Sequence, residues 1–149
     1  MEFIEQIEID SPITLVWSQL IDGFGEIERW DTSVTESRLS GSSNLLGLKF
    51  STRTVVQDEG EFKQVMTMFT PLQYSFSYRV KENLPFYVRK ISTTWSLTHS
   101  VDGNTLVVQN HTVQFRSLGF LLAFFVVPAL KKQSRKQLQD LKRFMESQS

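Results

Sequence analysis

The sequence predicts one α+β domain over residues 1–149: a strand, two short helices, six further strands and a long C-terminal helix. Three observations predict it. Apolar and polar residues alternate from Phe3 to Ile9 and again in six segments between residues 34 and 116, the period of half-buried strands. The breaks between those segments are short and carry Gly, Asn, Asp or Pro, so consecutive strands form an antiparallel meander. Beyond residue 117 the alternation stops, and a charge-free run passes into a basic segment with helical spacing, giving an α+β order.

Taken in order, Phe3-Ile4-Glu5-Gln6-Ile7-Glu8-Ile9 is the first strand. Asp10-Ser11-Pro12 then starts a helix, with Asp10 or Ser11 as N-cap and Pro12 near the first helical position, and Ile13, Val16, Trp17 and Leu20 fall on one face. Gly23 and Gly25 end it, and Glu26 to Trp30 forms one more helical turn before Asp31. The isolated acids Asp22, Glu26, Glu28 and Asp31 read as helix-start and solvent-facing groups.

The six strands are expected at Val34–Leu39, Leu46–Arg53, Phe62–Phe69, Tyr74–Val80, Tyr87–His99 and Leu106–Arg116. Turns separate them at Gly41-Ser42-Ser43-Asn44, Asp58-Glu59-Gly60, Pro71, Asn83-Leu84-Pro85 and Val101-Asp102-Gly103-Asn104. Strand periodicity puts Tyr87, Arg89, Ile91, Thr93, Trp95 and Leu97 on one face, which the Trp95 ring makes the inner one. Tyr74, Phe76, Tyr78 and Val80 share a face, and Leu46, Leu48 and Phe50 form a third apolar row. Phe62–Phe69 has no clear inner face, because Met66 and Met68 oppose Val65 and Phe69.

The run Leu118 to Leu130 holds thirteen residues without a charge and leads into a basic helix, Lys131 to Met145. A segment apolar all round needs protein, lipid or an apolar ligand about it. It is too short to span a bilayer, covering about two-thirds of the hydrocarbon thickness. Pro128 should bend or break the helix between Phe124 and Pro128. The second half presents Leu130, Leu138, Leu141 and Met145 as a stripe that clamps the sheet.

Composition excludes several classes. Cysteine is absent, which removes disulfides and thiolate metal sites. The total charge is zero, but residues 1–40 carry nine acids against two bases and residues 131–149 six bases against two acids. A neutral total without an aromatic-basic strand motif argues against nucleic acid as partner. The basic helix is either a solvated face complemented by the acidic N-terminal segment or a site of weak peripheral membrane contact. Met1-Glu2-Phe3-Ile4-Glu5 lacks the basic and apolar regions of a secretory signal, so a cytoplasmic location is expected.

Specific residues carry a family resemblance. Ser11-Pro12 followed by Val16-Trp17, the turn Gly25-Glu26-Ile27-Glu28-Arg29-Trp30, and the final helix ending Leu141-Lys142-Arg143-Phe144-Met145-Glu146 resemble the START-like (SRPBCC, helix-grip) superfamily. Within it the chain is similar to the branch called polyketide cyclase/dehydrase and lipid transport. The resemblance implies a curved seven-stranded antiparallel sheet wrapped around the long C-terminal helix, two short helices between the first two strands, and a ligand cavity between sheet and helix.

Its expected lining is Phe24, Trp30, Phe50, Tyr78, Leu84, Phe86, Arg89, Trp95, Gln109, His111, Phe115, Phe120 and Phe124. The parity of the last strand sets Gln109 and His111 among Val107, Val113 and Phe115. Buried polar groups need partners, so these two either orient the polar end of an apolar ligand or satisfy each other, Tyr78 or a trapped water. Leu84, Phe86, Phe24, Phe120 and Phe124 either line an entrance or close a solid core.

The function expected is binding or transport of a small hydrophobic ligand such as a lipid, quinone or polyketide, with no metal or other cofactor. One alternative is a cyclase or dehydrase with His111 as general base, helped by Tyr78 or Arg89. Another is a protein-interaction module with a vestigial pocket, using the Leu84/Phe86 and Leu118–Leu130 surfaces. His99, at a strand end, is expected in solvent.

Overall fold

The computed structural model describes residues 1–148. Strands β1 (Glu2–Ile9), β2 (Glu36–Ser40), β3 (Thr52–Gln57), β4 (Gly60–Thr70), β5 (Ser75–Lys81), β6 (Val88–His99) and β7 (Thr105–Phe115) form one antiparallel sheet. Helix α1 (Ile13–Ile21) and a 3₁₀ segment, Phe24–Arg29, lie between β1 and β2; another 3₁₀ segment, Ser117–Leu122, leads into helix α2 (Ala123–Ser147). The sheet order is β1-β7-β6-β5-β4-β3-β2. Strands β2 to β7 are therefore a meander, and the chain's first strand closes against its last. This is the helix-grip arrangement.

Burial explains why α2 is held. Ala123, Val127, Ser134, Leu138, Leu141 and Met145 recur at helical spacing and are all buried, and the last three join α1 and the inner sheet face in one core. A smaller core of Phe3, Val88, Val113, Ala123 and Val127 sits toward the start of α2. β1 complements part of the basic helix: Arg135 Nε lies 3.0 Å from a Glu5 carboxylate oxygen, and Lys142 Nζ donates to the Glu8 carbonyl at 2.8 Å.

Four expectations are corrected. The Leu46–Arg53 strand is displaced to Thr52–Gln57. Gly47 has φ +86° and the Leu48 amide donates to the Leu45 carbonyl at 3.2 Å, so this stretch turns; Leu48 is buried while Leu46 stands in solvent. Arg89 is exposed rather than inward, because the β6–β7 register shifts between Val88 and Lys90 and turns Val88 into the core. Pro12, not Asp10 or Ser11, occupies the N-cap of α1. α2 runs unbroken through Pro128, which falls in its second turn; the change of helix type lies upstream, at Leu122–Ala123. The ambiguous face of β4 is also resolved: a bulge between Met66 and Met68 lets both Met66 and Phe69 pack on the core.

Candidate functional site

The inner face of the sheet builds two adjoining surroundings, one aromatic and one polar. In the first, Trp95 of β6 stacks on Phe76 of β5 with centroids 6.0 Å apart and meets Trp30 edge-on at 6.3 Å. Phe24 stacks on Phe50 at 5.2 Å and makes edge contacts with Phe76 and Tyr78. Such geometries add to the gain from burial alone. The Trp95 indole N–H donates to the Tyr78 hydroxyl at 3.3 Å.

Into this aromatic wall β3 sends Arg53, a residue that alternation had set at a strand end. It is 3% exposed. Its Nε donates to Gln64 Oε1 at 2.6 Å and its Nη1 to the Phe24 carbonyl at 3.2 Å, and the guanidinium carbon sits 3.7 Å from the Phe24 ring centroid. Burial pushes its pKa down to about 10, against the pull of Tyr78 and Asp31, so the group remains cationic at neutral pH. No carboxylate of the described residues lies within ion-pair distance of it.

The polar surroundings begin on β6 and β7, where Thr93 faces His111 and Trp95 faces Gln109 in register. Thr93 Oγ1 lies 3.0 Å from His111 Nδ1; His111 Nε2 lies 3.0 Å from Ser134 Oγ and 3.2 Å from Gln109 Oε1. Ser134 also donates to Gln109 Oε1. Gln109 Nε2 donates to Gln137 Oε1 at 2.7 Å, and Gln137 Nε2 donates to Asp31 Oδ2 at 2.9 Å. The second oxygen of Asp31 accepts from the Ser33 amide at 3.0 Å and hydroxyl at 2.7 Å.

One assignment satisfies the whole chain. Gln109 Oε1 only accepts, so the His111 proton sits on Nε2, Nδ1 accepts from Thr93, and every donor is oriented toward the Asp31 carboxylate. Asp31, expected in solvent, is buried and anchors this relay. Burial lowers the His111 pKa to about 4, although the Glu5 charge opposes the shift. The imidazole is therefore neutral, and Phe3 stacks on it at 4.7 Å.

The remaining expected residues lie elsewhere. Leu84 and Phe115 pack on the smaller core, while Phe86, Phe120 and Phe124 are exposed. A groove of about 520 Å³ beside the β5–β6 turn is lined by Arg79, Lys81, Leu84, Phe86, Arg89 and Arg116, among others. A neighbouring one of about 480 Å³ shares Phe86 and Arg116 and adds Tyr87, Leu118 and Leu122. The structure thus joins Phe24, Trp30, Phe50, Tyr78 and Trp95 in one wall, with Gln109 and His111 alongside, and keeps Arg89 apart from them. His99 is exposed, as expected. Among the described residues no three His or acidic side chains converge as a metal site.

Sequence reasoning missed Arg53, Ser134 and Gln137. The available signal for Arg53 was its parity with Val55, and for Ser134 its place on the buried stripe with Leu138 and Leu141.

The sequence profile described as polyketide cyclase / dehydrase and lipid transport matches residues 2–146. No match is found among curated proteins. Among solved structures, the chain is similar to the Zhui aromatase/cyclase from Streptomyces sp. R1128, with 16% identity, TM-score 0.77, and coverage of 98% of this chain and 93% of that one. A START superfamily protein from Mycobacterium smegmatis gives 12% identity, TM-score 0.73 and 99% coverage of each chain. The protein XoxI from Bacillus cereus gives 18% identity, TM-score 0.76, and coverage of 97% of this chain and 94% of that one. These likenesses concern the fold.

Proposed function

We propose, for a chain that belongs to the polyketide cyclase/dehydrase and lipid transport family, that it binds a small hydrophobic ligand between the sheet and α2. The carrying observation is Arg53: a buried cation enclosed by Phe24, Tyr78 and Gln64, with no carboxylate partner among the described residues. A fold needing only a core gains more from an apolar side chain there, since burying a charge is costly. An apolar interior with few convergent polar groups is the usual make-up of a small-molecule site. Arg53 and Tyr78 offer donors to a carbonyl, phenolate or carboxylate end, and Trp30, Phe76 and Trp95 offer ring faces to the apolar body. In this reading the ligand opens the aromatic wall on entry, and the mechanism is burial, without bond making.

The second reading is cyclase-type catalysis, favoured by the likeness to an aromatase/cyclase. His111 is the base in that case, but its unprotonated Nδ1 already accepts from Thr93, so a substrate must displace the Thr93 hydroxyl before His111 can take a proton.

Titration with 1-anilinonaphthalene-8-sulfonate, an apolar anion, tests the first reading. Expected are one saturable site, quenching of tryptophan emission and at least tenfold weaker binding in Arg53→Met, with Phe124→Ser unchanged. Absence of a saturable site, or binding lost in Phe124→Ser and kept in Arg53→Met, overturns it.

A further inference from the structure

The charge-free run Leu118–Leu130 enters the core through Ala123 and Val127 and leaves most of its large side chains outside. Phe124 is 87% exposed and Phe125 76%, and Leu118, Phe120 and Leu121 are also in solvent. Phe86, on the β5–β6 turn, is 86% exposed and meets this run across the groove it shares with Leu118 and Leu122. Two chain segments thus place large apolar side chains beside one another at this groove. An exposed patch of this kind marks an interaction surface.

Its position is fixed from beneath. Gly119 packs so tightly on the Tyr87 backbone that a Cβ there would collide with the carbonyl oxygen. The Arg116 amide donates to the same carbonyl at 2.9 Å. Ala123 and Val127 bury the opposite side of the first turns of α2. The aromatic side chains therefore face outward because the other helix face is already occupied.

The surroundings identify the partner. Arg79, Lys81, Arg89, Lys90 and Arg116 line the adjoining groove, and none of the five has a carboxylate partner among the described residues. The one acid in that lining, Glu82, is paired with Lys63 at 3.2 Å. Along the outer face of α2 the order is Phe124, Phe125, Pro128, Ala129, then Lys132 and Arg135, all exposed. Phe124 and Lys132 are eight positions apart, about 12 Å of helix rise. Polarity passes from aromatic to cationic along the helix, the order in which a surface-bound segment meets acyl chains and then phosphates. No helix of the described residues is long and apolar enough to cross a membrane.

We propose that this apolar tip and its basic collar seat the protein on an anionic lipid bilayer, with Phe86, Phe124 and Phe125 entering the acyl boundary and Arg89, Lys90, Arg116 and Lys132 meeting lipid phosphates. The collar favours a lipid surface over a protein partner: apart from Glu82, which is paired with Lys63, it is cationic and carried on long side chains beside exposed aromatic ones, which suits a diffuse anionic plane. The inference does not depend on the ligand-binding reading.

The test is vesicle flotation of the full chain with phosphatidylcholine alone and with phosphatidylcholine plus phosphatidylserine. Binding to the anionic vesicles should be at least about tenfold stronger, the collar supplying the difference, and should weaken with salt. Phe124→Ser/Phe125→Ser should lower binding at least about tenfold at unchanged Tm, because both side chains are exposed. Arg116→Glu/Lys132→Glu should remove the preference for anionic lipid. Each variant should still take up 1-anilinonaphthalene-8-sulfonate, which separates this test from that of the interior site. Failure to bind anionic vesicles, or equal binding by the Phe124→Ser/Phe125→Ser variant, overturns the proposal. A concentration-dependent dimer abolished by the same variant also overturns it, by assigning the tip to a second copy of the chain.

Discussion

His111 makes the stability of this protein depend on pH in a defined window. Burial holds its folded-state pKa at about 4 against the ordinary 6.5. The unfolded chain takes up a proton below pH 6.5 and the folded chain does not until about pH 4, so stability falls as pH drops through that interval and this contribution is constant below it. The gap corresponds to at most about 3 kcal/mol, an upper bound because the ring is only partly buried. Two acids act further down. Burial raises the Asp140 pKa, but hydrogen bonds from Thr32 and the nearby Lys136 outweigh it and leave it lowered from 3.8. Lys142 and the Asp10 amide lower Glu146 from 4.5. Stability from these depressed carboxylates is present above their unfolded values and is lost as pH falls through the folded ones. Urea unfolding followed by tryptophan emission at pH 7, 6, 5 and 4.5, for wild type and His111→Gln, isolates the histidine. The wild type should lose stability relative to the variant on acidification within this interval. Parallel pH profiles, or an NMR titration of His111 with a midpoint near 6.5, would show that the relay does not hold the imidazole neutral.

Four further substitutions at three sites test the packing. Arg53→Met loses the hydrogen bonds to Gln64 and the Phe24 carbonyl but removes a buried charge and keeps a chain of similar length, so chemical denaturation should change by less than about 1.5 kcal/mol, whereas Arg53→Ala loses the same bonds and also leaves a cavity and should cost about 2–4 kcal/mol. Gly119→Ala drives a methyl group into the Tyr87 carbonyl and should cost about 1–3 kcal/mol in thermal unfolding. Leu141→Ala empties a site with 0% exposure where α2 meets the sheet and should lose about 2–5 kcal/mol, read by urea denaturation.

Alternation identified most of the sheet because each strand has one buried face, and in β7 it put Gln109 and His111 on the same side. It failed where the backbone breaks its own period. Leu46, Leu48 and Phe50 alternate like a strand, yet Gly47 at φ +86° turns the chain. The bulges at Met66/Met68 and Val88/Lys90 each shift parity by one residue, which obscured the face of β4 and sent Arg89 to solvent. Pairing register is a tertiary property, and no local pattern encodes where it slips. Arg53 and Asp31 were missed for a related reason: charged residues read as exposed until their partners, Gln64 and Gln137, are brought near from distant segments. The apolar run was conspicuous in sequence, but only the structure shows which of its faces is buried.

Native mass spectrometry of the freshly purified full chain, followed by extraction and identification of any released molecule, tests the central claim most directly. Ligand binding between sheet and helix predicts a protein mass increased by one apolar molecule, or one-to-one uptake from a panel of fatty acids, sterols, quinones and polyphenols, reduced in Arg53→Met. A chain that carries nothing and takes up none of these would contradict it.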